Sequence, residues 1–170
     1  MAQTEQARTV ETQDYPRAKI WAHSGDSHLM EPEDLWTSRL PARLADRAPR
    51  AERGEKYEAV YIDGEQISRQ LNDFMDAMRP PGFKNLDIRL QDLDQEGVWC
   101  QLAFPSMGFW TVNIQDRELA RECERAWNDW AVEDFMAQQN RIFAPAIVSL
   151  GDVADAVVLG HGLARIGLAH

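Results

Sequence analysis

The chain has 170 residues, 44% of them hydrophobic, and 28 acidic side chains against 18 Lys and Arg give it a formal net charge of -10. That length suits one domain or part of a larger one, and the apolar fraction supports a core, which excludes a generically disordered chain. The acidity excludes nucleic acid and an anionic membrane as main partners, because both demand a basic face.

Residues 1–18 are polar and lack periodicity, so a disordered tail is expected there, with one ordered region over 19–170. The first element predicted is a short strand at Lys19–Asp26, with His23, Ser24 and Asp26 crowding its C-terminal end. A loop follows, in which Pro32 can open a helix. Residues 38–56 are charged and broken by Pro41 and Pro49, which predicts a loop with at most a short helix. Tyr57–Ile67 reads as a hairpin, because Asp63-Gly64 supplies the positive φ values of a tight primed turn between two β-prone runs. Residues 68–84 show weak helical spacing up to Pro80-Pro81-Gly82 and read as a flap.

The pattern then becomes regular. Asn85 can cap a helix running to Glu96, with Leu86, Leu90 and Leu93 on one face and Gly97 just past its end. Val98–Phe104 is an almost unbroken apolar run ending at Pro105, the pattern of a strand buried on both faces. Asp116–Asn140 reads as an amphipathic helix with a stripe of Leu119, Cys123, Ala126, Trp127, Trp130 and Phe135, and with Asn128 bonding the helix to a loop. Ile142–Leu150 is a further strand candidate, whose regular part Pro145 delays to Ala146. A last helix is expected near Val153–Leu159. Strands alternating with helices imply parallel β/α units, hence an α/β fold.

Cys100 and Cys123 make no disulfide framework, and each falls in an apolar stretch that predicts a buried free thiol. No apolar segment opens the chain as a signal peptide would, and no run is long enough to span a bilayer, so a cytoplasmic protein with no membrane partner is expected. Phosphate-loop, Cys-x-x-Cys and Gly-x-Ser-x-Gly motifs are missing, which removes nucleotide-binding, zinc-finger and serine-hydrolase readings.

The chemistry concentrates in Gly25-Asp26-Ser27-His28. In an extended chain residues i and i+2 share a face, so Asp26 and His28 project together at the C-terminal end of the first strand. Their carboxylate and imidazole offer O and N donors suited to zinc, manganese or iron. The plainer alternative is a capping Asp and a hydrogen-bonded His. His23 lies an odd number of residues from His28 and is expected on the opposite face, packed or at the surface. Phe104, Ser106 and Trp110 follow the second strand and either line a substrate pocket or pack the loop. Glu31, before Pro32, reads as part of a helix start.

The segment SGDSHLMEPEDLWTSRLPARLADRAPR resembles the opening of amidohydrolase-related proteins, in the branch that includes aminocarboxymuconate semialdehyde decarboxylase. RLQDLDQEGVWCQLAFPS and RAWNDWAVEDFMAQQNRIFAPAIVSLGDVADAV are similar to the same family's next helix–strand units, so the likeness covers residues 20–157. The resemblance implies a (β/α)8 barrel holding one divalent metal ion, zinc before manganese or iron. It implies that Asp26 and His28 correspond to the first two ligands, Asp26 standing where His is commoner. It further implies a hydrolase or non-oxidative decarboxylase acting on a small carboxylated or aromatic substrate.

The family's other ligands come later in the barrel than the third strand, and the two later histidines, His161 and His170, lack that setting. A full barrel takes about 250 residues. The expectation is therefore a truncated, N-terminal portion of a barrel: three β/α units with an inserted hairpin. The competing expectation is a catalytically inactive fragment or interaction module, forming a homo-oligomer through its exposed barrel edge.

Overall fold

The computed structural model describes residues 21–148 together with residues 153, 154, 156 and 157. The expected tail, residues 19 and 20 of the first predicted strand, residues 149 and 150 of the strand predicted at 142–150, and residues 155, 158 and 159 of the last predicted helix lie outside the described residues. The four described residues of that last segment are helical.

Two sheets organise the chain. Strands β1 (Ala22–Leu29), β5 (Val98–Pro105) and β6 (Ile142–Phe143) form a parallel sheet in that order. Strands β2 (Arg50–Arg53), β3 (Tyr57–Ile62) and β4 (Glu65–Leu71) form an antiparallel one. Helices α1 (Leu35–Arg39), α2 (Ala42–Ala45) and α3 (Asn72–Ala77) flank the antiparallel sheet in sequence. Helix α4 (Leu86–Glu96) joins β1's part of the chain to β5, and α5 (Arg117–Asp134) joins β5 to β6. These are the expected β/α units, with the parallel strands neighbouring one another in chain order.

Local sequence explains the boundaries. The Asn85 side chain accepts the Ile88 amide at 3.0 Å, and Gly97, at φ 75°, closes α4 in the left-handed region. Asp116 caps α5 by accepting the amides of Glu118 and Leu119. It also accepts Arg47 Nη1 at 2.8 Å, and that guanidinium holds the Asp116 carboxyl below its usual range. Asp63 at φ 53° and Gly64 at φ 81° make the predicted primed turn.

Several expectations are corrected. The hairpin is part of a three-stranded sheet: Arg50–Arg53, read as loop, pairs with Arg53↔Glu58 through Arg50↔Tyr61. Residues 68–71, read as the start of a flap, complete β4 by pairing with β3. Strand β1 continues to Leu29, because β5 pairs it as far as Pro105. Helix α5 ends at Asp134 and a single 3-10 turn, Met136–Gln138, follows. Among the described residues strand β6 lies before Pro145, and residues 146–148 after it form no strand. Pro145 has no N–H for a ladder, so the pairing residues are the two β-prone ones ahead of it.

The core lies on the helix side of the parallel sheet. Leu29, Trp36, Ala103, Leu119, Cys123, Ala126, Trp127 and Ile142 are all buried there. Burying each Leu or Ile contributes roughly 1.5–3 kcal/mol. Trp127 packs edge-on to Trp130, and Trp130 to Phe135. Asn128 bonds the backbone of Ile147 in both directions, at 2.9 and 2.8 Å, which is the helix-to-loop role expected of it. Cys123 is buried as expected, and burial pushes its thiol up to about 12.

The other face of the parallel sheet is open. Strand β5 alternates, with Gln101, Ala103 and Pro105 buried and Leu102 37% exposed. Its apolar run therefore does not mark burial on both faces, and Cys100 is half-buried on the open side and not in the core. Among the described residues no helix is long and apolar enough to cross a membrane.

Candidate metal centre

Strand register decides which side chains share the open face. Ser24 pairs with Gln101 and Ser27 with Ala103, so Gly25 and Asp26 together stand opposite the single residue Leu102. This is a bulge, one extra residue in β1. Partners across a ladder point the same way, so His28, paired with Phe104, and Asp26, beside Leu102, belong to the open face. Ser27 and Leu29 point to the helices instead.

The bulge also resets the parity of the strand. His23 pairs with Cys100, an open-face residue, and therefore lies on the same face as His28. The expectation of opposite faces assumed a regular strand and fails here. The His23 Nδ1 lies 2.7 Å from Cys100 Sγ.

His28 is held on its backbone side. Its Nδ1 is 3.0 Å from the carbonyl oxygen of Pro105, the residue that ends β5. Its ring sits 6.3 Å, centroid to centroid, from Phe104 at a 47° tilt. Asp26 is exposed and forms no ion pair with a described residue. The two donors stand two residues apart at the C-terminal end of a parallel strand, the end at which β/α folds build their sites.

Two buried charged side chains fix this edge from below. Arg89, 4% exposed on α4, donates Nη1 to the His28 carbonyl at 2.8 Å and to that of Gly82 at 3.3 Å. Its Nη2 reaches Ser27 Oγ at 2.6 Å, and its Nε reaches Gln101 Oε1 at 2.7 Å. The guanidinium thus clamps the backbone of the Asp-Ser-His segment to β5, and burial lowers it to about 10.

Glu31, 4% exposed, is the second. Its Oε1 accepts the amides of Ser106 at 3.0 Å and Gly108 at 2.9 Å and the Trp127 indole N–H at 3.0 Å, while Oε2 accepts the Met107 amide at 3.0 Å. Burial pushes its carboxyl up, and the N–H donors around it pull the other way. Glu31 therefore holds the loop after β5 and does not start a helix. A glycine is required at 108, because a Cβ there would lie 2.7 Å from Trp127 Cδ1 and 3.0 Å from Ile147 Cδ1.

Of the three residues expected to line a pocket, Phe104 is the one with a described contact to His28. Phe104 is half-buried beside His28. Ser106 begins the loop that Glu31 holds. Trp110 is 40% exposed in a 3-10 turn, Gly108–Asn113, edge-on to Phe109.

Glu31, Arg89 and His23 were not legible as site residues. Arg89 had a signal, since it stands three residues after Leu86 and four before Leu93, on the apolar face of α4. His23 had none, because a bulge leaves little trace in a single sequence. Among the described residues no group of three or more His, Cys, Asp and Glu side chains converges. Asp26 and His28 thus offer two donors of the right chemistry and not a closed set; tetrahedral zinc sites use three or four.

No family model and no curated protein matches the chain. Among solved structures, its fold is similar to that of an amidohydrolase from Mycobacterium avium subsp. paratuberculosis K-10, with a TM-score of 0.70 and 19% identity. The match covers 87% of this chain and 47% of the other, so the chain spans about half the length of that structure. The α/β arrangement of barrel-type units expected from the sequence is thereby borne out, at the level of fold.

Proposed function

We propose that this chain carries the first two metal ligands, Asp26 and His28, of a metal-dependent hydrolase of the amidohydrolase kind, acting on a small carboxylated or aromatic substrate. The observation that carries the reading is the hydrogen bond from His28 to the Pro105 carbonyl. A carbonyl only accepts, so Nδ1 holds the proton and Nε2 keeps its lone pair for a ligand. Metal-binding histidines are held in this way by a backbone carbonyl or carboxylate, which fixes the tautomer and the ring. Asp26 supplies a negatively charged oxygen on the same face.

Asp26 and His28 would hold a divalent ion, which would supply Lewis acidity for hydrolysis or for non-oxidative decarboxylation of a carboxylate or phenolate substrate. Zinc suits the N and O pair, and manganese or iron accept it too. Phe104 offers an apolar wall beside His28 for a planar substrate. Ser106 and Trp110 offer a hydroxyl and a ring on the adjoining loop. None of these side chains is assigned the general acid or base.

A second reading is favoured by one specific observation. Parallel sheets are ordinarily covered on both faces, yet Leu102 is 37% and Phe143 45% exposed on the open face. This suits an interaction module that pairs with another copy through that face.

Zinc titration by calorimetry separates the readings. The metal reading expects one zinc per chain, with His28→Ala and Asp26→Ala each weakening binding about tenfold or more, at least the loss seen when a ligand's supporting partner is removed. Both side chains are exposed, so the far-UV spectrum should stay unchanged. A native chain that takes up no zinc, or variants that bind it as the native chain does, would remove the metal reading. Self-association in sedimentation would then support the module.

A further inference from the structure

The open face carries a second pair of reactive groups, one that the metal reading does not use. His23 Nδ1 and Cys100 Sγ are 2.7 Å apart across the β1–β5 ladder. The contact is built by two irregularities. The β5 residue Trp99 is skipped between the pairs Ala22↔Val98 and His23↔Cys100, which brings the thiol level with the imidazole. The extra residue at Gly25-Asp26 then lets His23 and His28 occupy the same face. His23 is exposed and Cys100 half-buried, so solvent-borne reagents reach the pair. The other cysteine, Cys123, is buried on the opposite side of the sheet and has no His beside it among the described residues.

A thiol within hydrogen-bond reach of an imidazole is the arrangement that activates cysteine nucleophiles. We propose that Cys100 is a site of covalent modification by small, uncharged, soft carbon electrophiles, with His23 as the acceptor of its proton. In the tautomer protonated on Nε2, Nδ1 takes the thiol proton as sulfur attacks carbon. With an alkyl halide, the S–C bond forms, the carbon–halogen bond breaks, halide leaves with the electron pair, and the imidazolium passes its proton to water. An uncharged reagent is specified because the chain carries a formal charge of -10, which repels anions.

The test is the rate of labelling by iodoacetamide at pH 7, followed site by site by mass spectrometry. Native Cys100 is expected to react about tenfold faster than N-acetylcysteine in the same tube, a fraction of what a positioned general base contributes in a complete enzyme site. Cys123 should stay unlabelled until urea is added. His23→Gln, which keeps a polar side chain but no base, should bring Cys100 to the N-acetylcysteine rate or below. Native Cys100 reacting no faster than N-acetylcysteine overturns the proposal, and so does a His23→Gln chain that reacts as fast as the native one. The first comparison needs no variant and holds whether or not His23→Gln folds. Neither measurement depends on Asp26, on His28 or on metal.

Discussion

Glu31→Ala is expected to lower the unfolding free energy by about 4 kcal/mol or more, because each buried group left without its partner costs about 1–3 kcal/mol. Four N–H donors converge on that carboxylate: the amides of Ser106, Met107 and Gly108 and the indole of Trp127. Alanine removes every acceptor at once and opens a cavity against Trp127, which is 0% exposed. Since whole domains are stable by only about 5–15 kcal/mol, this variant stands near the threshold of folding.

Glu31→Gln discriminates packing from hydrogen bonding. Three of the four donors meet Oε1 and one meets Oε2. A glutamine with its oxygen on the crowded side keeps three bonds and turns an NH2 against the Met107 amide. The expected loss is about 2 kcal/mol, one donor left facing a donor. Urea unfolding followed by tryptophan fluorescence reads both variants. A loss from Glu31→Ala no larger than that from Glu31→Gln would contradict the assigned network.

Arg89→Met is expected to cost about 3 kcal/mol. Methionine matches the length of the stem but leaves Gln101 Oε1, the His28 and Gly82 carbonyls and Ser27 Oγ without the guanidinium that reaches all four. Removing a buried charge returns some desolvation energy, which keeps the loss below the sum of four orphaned groups. At roughly 2–4 °C per kcal/mol, the melting temperature falls by about 6–12 °C.

The pH dependence of this loss has a definite sign. Burial lowers the folded-state value of Arg89 to about 10 from an ordinary value of 12.5. Below about 10 the group is charged in the folded and unfolded chains alike, so its contribution is flat with pH there. A melting-temperature difference between Arg89→Met and the native chain that varies between pH 5 and 8 would contradict that assignment.

The regular part of the fold was legible because its signals are local. Asn85 and Gly97 bracket α4, and Asp63-Gly64 turns the hairpin, each through its own backbone or cap chemistry. The stripe from Leu119 to Trp130 repeats at helical spacing. What the sequence did not show depends on distant partners. Arg50–Arg53 has no β pattern of its own and becomes a strand because Tyr57–Ile62 lies beside it. The exposure of Leu102 on β5 depends on which distant segments pack against that face, which composition cannot display.

The candidate site divides in the same way. Asp26 and His28 were legible because strand alternation over two residues is a strictly local rule. His23 escapes the rule because a single inserted residue reverses it, and the insertion shows only against β5. Glu31 stands beside Pro32, a local cue for a helix start, while its actual partners lie 75 to 96 residues away.

The most direct test of the central claim is the nitrogen NMR of His28 in a chain labelled with 15N-histidine, with His28→Ala to assign its signals. In the metal-free protein, Nδ1 should appear as the protonated nitrogen and Nε2 as the unprotonated one. On adding zinc, Nε2 should shift while Nδ1 keeps its proton against the Pro105 carbonyl. A proton found on Nε2, or a His28 ring that zinc leaves unchanged, would contradict the account.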